Sequence, residues 1–338
     1  MKLIKLCVAV LAVLGMAGAA LAGENLEAIK AKGFIQVGVN EGLAGFAKAD
    51  EKGEWKGLDI DTARAVAAAM FGDARKLKFT PLTPVARFLA LQSGEVDILC
   101  RNVTLILQRD TALGLNFAPE NFYDGQGFMV PKKMNVKSAK DLDGATVCVL
   151  TGSTTERNLA DYFRVNKMKL SPVVLQNQAS LQNAFFGGRC DVITSDTSQL
   201  AGMRVGAPNP EDYVILPEVI SKEPLAPCVR QGDEQWFDIV KWSVYALINA
   251  EELGITSKNV DDMLKSEDPD IQRFLGVVPG NGKALGLDEK WAYNIIKQVG
   301  NYGEIFERNV GKNTPLGLER GLNALWTKGG LMYSPPFK

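Results

Sequence analysis

The chain has 338 residues, with 38 basic against 39 acidic side chains, 46% apolar residues, five cysteines and no histidine. That length supports one large core or two ordinary ones, and 23% charged residues near neutrality exclude a disordered chain and give no footing for a nucleic-acid partner. Without imidazole the chain cannot build a Ser/His/Asp or Cys/His nucleophile pair, an HExxH zinc site or a histidine general acid, which removes most hydrolase chemistries.

The amino end carries Lys2 and Lys5, then an apolar or small-residue run from Leu6 to Ala22 that ends in Ala20-Leu21-Ala22. A basic start, a short apolar stretch and an A-x-A exit predict a cleaved secretory leader over residues 1–22. Cys7 stands inside that run and not just after the cleavage point, so a soluble exported protein without a lipid anchor is expected. Removal of the leader leaves 36 basic and 39 acidic residues, a net charge of −3. It also leaves Cys100, Cys148, Cys190 and Cys228, an even number that favours disulfides in an exported chain. Three pairings are possible, and spacing does not choose among them.

Gly33–Val39 reads as a short apolar strand ending in Asn40-Glu41, and Gly144–Leu150 as a second one ending in Thr151-Gly152-Ser153. The stretch Ala90–Leu99 has a counterpart in Ala184–Ile193: a helix end, a Gly cap, then an Asp leading into a buried strand. Gly94 and Gly188, like Asp97 and Asp191, are 94 positions apart. Two copies of a strand-helix unit imply two α/β lobes, each with a mostly parallel sheet flanked by helices. The Pro- and Gly-punctuated stretches 117–126 and 216–227 read as crossings between them, so the first lobe is discontinuous. The lobes are expected over 23–124 plus 226–338 and over 125–225, with residues 236–338 mostly helical.

In parallel sheets ligands bind beyond the carboxyl ends of the strands. That rule selects Asn102 and Thr104 after one strand of the repeat, and Asp196 after its partner, with Asn102 and Asp196 at equivalent places. Ser153, followed three residues on by Glu156, predicts a capped helix start whose free N–H groups attract an anion, with Thr154 beside it. Arg109 can grip a carboxylate through two parallel hydrogen bonds, and Asp196, following an apolar strand, needs a cation such as a ligand ammonium. Each feature alone also has a plain structural role.

Together these features resemble the periplasmic solute-binding proteins that serve ABC transporters for polar amino acids. The resemblance is carried by Gly57-Leu58-Asp59-Ile60-Asp61, Leu91–Leu99, the Thr104 to Arg109 spacing, Phe122–Gly127, Gly152–Glu156 and Gly188–Asp191. Ile220–Leu225 and Val299–Arg308 are similar to the longer branch that includes general L-amino-acid-binding proteins. The resemblance implies a type II two-lobed clamp, a free L-amino acid in its cleft, an inner-membrane ABC permease as partner, and a periplasmic monomer without cofactor or metal. By position, Arg109, Thr104 and Thr154 would hold the α-carboxylate and Asp196 the α-ammonium. Asn102 would line the cleft and Arg87 would meet an acidic side chain. Leu43 falls where several relatives place an aromatic lid, which implies a broader pocket. The resemblance implies a Cys148–Cys190 bridge, and the shared topology adds Cys100–Cys228. A lyase of the cyclohexadienyl dehydratase type on the same fold is the alternative, with Glu41 or Asp196 as proton donor.

Overall fold

The computed structural model describes residues 23–338, so the leader and Cys7 lie outside the described residues. Two five-stranded sheets organise the chain. The first runs Leu77–Pro81, Ile35–Val39, Ile98–Leu99, Cys228–Arg230, Leu115–Phe117 in spatial order. The second runs Ser171–Leu175, Thr146–Leu150, Val192–Asp196, Gln126–Pro131, Tyr213–Ile215. In each, the first three strands are parallel and the fourth is antiparallel to both neighbours. The chain passes between sheets on Phe122–Asp124 and returns on Glu223–Leu225, two strands that pair antiparallel.

The sequence repeat has a physical basis. Gly94 and Gly188 end their helices in left-handed conformation, at φ 81° and 75°, where a side chain is strained. Asp97 then accepts from the backbone N–H of Gln36 at 2.7 Å, and Asp191 from that of Thr146 at 2.8 Å. Each carboxylate thus pins the start of the neighbouring parallel strand, which sets the register and so the point where the site residues leave the ladder.

The carboxy-terminal helices pack against Leu58–Phe71 and bury Trp236, Trp291, Ile295, Ile296 and Phe306 in one core with the first sheet. They also brace the crossing: Tyr302 donates its hydroxyl to the Asn121 carbonyl at 2.9 Å, and Asn323 makes paired hydrogen bonds with the Tyr123 backbone at 2.7 and 3.0 Å.

Cys148 and Cys190 form a disulfide that ties adjacent parallel strands of the second sheet. Cys100 and Cys228 do not: both are buried free thiols. Cys228 stands opposite Leu99 in the antiparallel ladder, one residue out of step with Cys100. Because side chains alternate faces, Cys100 enters the core shared with the helical extension while Cys228 enters the separate cluster around Leu91 and Val96. Burial also pushes the Cys228 thiol up to about 12 and raises that of Cys100, so neither is a ready thiolate. Alkylation of the unreduced protein is therefore expected to leave Cys100 and Cys228 unlabelled when folded and to label both in denaturant. Peptide mass mapping checks this, and Cys148 and Cys190 should label only after reduction.

Candidate functional site between the lobes

The carboxyl ends of both sheets face each other across a small cavity of about 30 Å³, space for roughly two waters. Asn40, Arg87, Arg101 and Asn102 line it from the first lobe, and Thr154 and Asp196 from the second. A neighbouring cavity of about 330 Å³ shares Pro84, Ser153 and Thr154 with it and adds Arg109 and Arg157. The lobes are drawn together here: Arg157 donates to Gln108 across the gap at 2.6 Å, and the Thr104 and Thr154 hydroxyl oxygens lie 3.4 Å apart.

Local sequence explains how the first lobe presents its side. Gly57 has φ 137°, and a Cβ there would stand 2.0 Å from the Phe46 carbonyl oxygen, so only glycine lets the helix Leu58–Phe71 start this close. That start places Asp59 where it accepts from the Asn102 N–H at 2.8 Å and from Asn121 at 3.1 Å. Asn102 is held at φ 39°, a left-handed conformation that asparagine tolerates better than most residues, and Asn40 bonds its side chain at 3.1 Å. Burial raises Asp59 to about 6, with the hydrogen bonds from Asn121 and Asn102 opposing it.

Three guanidinium groups are buried in this lobe: Arg87, Arg101 and Arg109 are 3%, 3% and 6% exposed. Burial lowers all three below the ordinary arginine value, Arg101 to about 10, and for Arg87 the mutual repulsion with Arg101 and Arg109 adds to it. Arg101 Nε donates to the Leu82 carbonyl at 2.8 Å, and Arg109 Nη1 to the Thr104 carbonyl at 2.9 Å. Arg87 Nε is buried with no hydrogen-bond partner. A buried cationic donor without a partner is costly, which marks this spot as one that an anion would relieve.

The second lobe and the crossing strand answer with carboxylates. Burial pushes Asp196 well above the usual carboxylate range, and the like charges of Asp124 and Glu223 push it further, against a hydrogen bond from Gln199 and the charge of Arg87. Asp124 is raised by burial too, offset by donation from Ser198 and from Thr197 at 2.7 Å. At the start of the helix Thr154–Val165, Ser153 Oγ accepts from the Glu156 N–H at 3.2 Å, while Glu156 reaches back to Gly152 N–H at 2.9 Å instead of Ser153. The first-turn N–H groups of Thr154 and Thr155 have no acceptor within the helix.

Of the residues expected at the site, Arg87, Asn102, Thr104, Ser153, Thr154 and Asp196 line the inner cavity, and Arg109 lines the adjoining one. Leu43 lines neither: it is 1% exposed, bridges to Ala47 and packs in the first core, because the loop turns its side chain inward with Phe46. Glu41 is exposed and outside the inner lining, which leaves Asp196 as the acidic side chain there. Sequence reasoning passed over Arg101, Asn40, Gln199 and Glu223. Arg101 was legible as a charge leaving an apolar strand one residue before Asn102.

Residues 35–308 match the bacterial extracellular solute-binding proteins, family 3. The chain belongs to that family. It is 57% identical over 97% of its length to the general L-amino acid-binding periplasmic protein AapJ of Rhizobium johnstonii, covering 96% of that protein. It is 53% identical to the glutamate/glutamine/aspartate/asparagine-binding protein BztA of Rhodobacter capsulatus, covering 96% of both chains. A periplasmic binding protein from Brucella ovis with glutathione bound superposes with a TM-score of 0.91 at 56% identity, over 93% of this chain and 99% of the other. The two-lobed type II periplasmic-binding-protein fold expected from the sequence is the fold observed.

An ammonium beside Asp196 favours its ionised form, so binding expels a proton wherever the unliganded carboxyl is still protonated. Affinity for a ligand with an ammonium is then expected to rise with pH, by up to about tenfold per unit from the ordinary carboxylate range to the raised value, and to level off above it. Calorimetric titrations in buffers of different ionisation enthalpy measure that proton, and no proton release at any pH above the ordinary carboxylate range would contradict an ammonium held at Asp196.

Proposed function

We propose that this protein is the periplasmic capture component of an ABC importer, closing its lobes around a free L-amino acid with an acidic or polar side chain and handing it to the inner-membrane permease. The observation that carries the reading is the meeting, between two lobes, of a buried carboxylate at Asp196 with the buried guanidiniums of Arg87 and Arg101, the former holding an unpartnered donor, with buried Arg109 in the adjoining cavity. The lobes in this reading span 23–124 with 226–338, and 125–225. No helix among the described residues is long and apolar enough to cross a membrane. Residues 1–22 would serve as the export leader.

In this assignment Arg109 and the N–H groups at the start of Thr154–Val165 take the α-carboxylate, and Asp196 takes the α-ammonium. Arg87 and Arg101 then have no hydrogen-bonded anion, which a side-chain carboxylate supplies and a side-chain amide partly replaces. The naming of the Rhodobacter relative for glutamate, glutamine, aspartate and asparagine supports that side-chain class. Full-length relatives named as binding proteins favour capture over lyase chemistry. A second reading, a γ-glutamyl peptide, draws support from the glutathione held by the Brucella relative and from the 330 Å³ cavity beside the inner one. Such a peptide keeps a free α-carboxylate and α-ammonium at its glutamyl end, so the same two charged grips apply.

Thermal-shift screening of all twenty amino acids and glutathione tests these readings, with mass analysis of recovered ligand to show that it is returned unaltered. Arg109→Ala and Asp196→Ala are each expected to weaken binding by about 2–3 kcal/mol, roughly 30- to 160-fold, and so to sharply reduce ligand-induced melting shifts. Wild-type shifts in both variants would refute the assignment. Arg87→Leu is expected to cost acidic ligands about 1.5–3 kcal/mol while changing asparagine and glutamine less. Calorimetry on the ligand series measures that difference, and equal losses for all ligands would remove Arg87 from side-chain recognition.

A further inference from the structure

One buried carboxylate at the junction is absent from the lining of the inner cavity. Glu223 is 1% exposed and begins the return strand Glu223–Leu225. Its Oε2 accepts from Thr104 Oγ1 at 2.6 Å and from Thr154 Oγ1 at 2.8 Å. Its Oε1 accepts from Asn158 Nδ2 at 2.8 Å and from Ser221 Oγ at 2.7 Å. Thr104 belongs to the first lobe, Thr154 and Asn158 to the first turns of a second-lobe helix, and Ser221 to the crossing itself. Four donors from the two lobes and the crossing satisfy this carboxylate at once.

We propose that Glu223 is a positioning residue that latches the second lobe to the hinge and fixes which end of the ligand the two threonines can address. A hydroxyl has one proton to give. With the protons of Thr104 and Thr154 committed to Glu223, the oxygens keep lone pairs free for an ammonium and have nothing to donate to a carboxylate. The α-carboxylate is thereby directed to Arg109 and the backbone N–H groups, and the ammonium to Asp196 and the threonine oxygens. The latch touches protein groups alone, so its contribution to closure is the same for every ligand. In a clamp that closes partly on its own contacts, less of the closing free energy has to come from a particular side chain, which suits acceptance of several amino acids.

The inference rests on the hinge-closing reading above, and two measurements separate their failures. Small-angle scattering of the purified protein without ligand is expected to show Glu223→Ala more extended than wild type. Calorimetry is expected to show its affinity falling by one common factor, about tenfold or more, across the amino acids that bind. Glu223→Gln keeps an acceptor oxygen for the hydroxyl pair but turns an amide NH2 toward Asn158 Nδ2, and is expected to lose less affinity than Glu223→Ala, again by one common factor. Losses that vary from ligand to ligand would make Glu223 a direct ligand contact and overturn the latch, as would unchanged scattering and affinities in Glu223→Ala. Should that variant not fold, Asn158→Leu removes a second-lobe donor away from the cavity lining, and the same two readouts decide. If wild type binds no amino acid, the functional reading falls, and the scattering comparison still judges the latch.

Discussion

Ionised groups withdrawn from water must find partners, and at this junction the protein does not complete the pairing by itself. Asp196 lies among like charges, and Arg87 has a buried donor with no acceptor. Such groups are destabilising unless something of complementary charge arrives. In the proposed reading, the fixed cation and fixed anion of a free amino acid, a few bond lengths apart, supply what neither lobe provides alone. The two sheets, the crossing strands and the braced loops all serve to hold these charges at facing strand ends.

Much of this was legible in the sequence because it follows from local rules. The Gly94/Gly188 and Asp97/Asp191 repeat marks the same backbone device in both sheets, and it located Asn102 and Asp196 at equivalent strand ends. The apolar spacing of Trp236, Ile239 and Val240, and of Ile295, Ile296 and Val299, gave the helical extension its buried face. Lack of histidine by itself removes whole classes of chemistry.

What the sequence hid depends on which way side chains turn. Cys100 and Cys228 lie on neighbouring strands, but a one-residue offset in an antiparallel ladder sends them to opposite faces, and no spacing rule contains that offset. Leu43 could have faced the cleft or the core, and a turn closed by the Leu43 to Ala47 bridge decides for the core. Glu223 was one acid in a Pro-punctuated stretch, and its four donors come from residues 104, 154, 158 and 221. A carboxylate satisfied by distant parts of the chain leaves no local signature. The same holds for Arg101, whose neighbour Asn102 drew attention by its match to Asp196.

The order of strands in the first sheet bears on how the molecule comes together. Cys228–Arg230 fills the gap between Ile98–Leu99 and Leu115–Phe117, so those two segments share no ladder until residue 230 is available. The second sheet draws all five strands from 126–215. A polypeptide threaded out of a membrane pore amino end first can therefore assemble its middle portion while its opening portion still waits, exposed, for the tail. The lobe that appears first in the primary order is the one completed last.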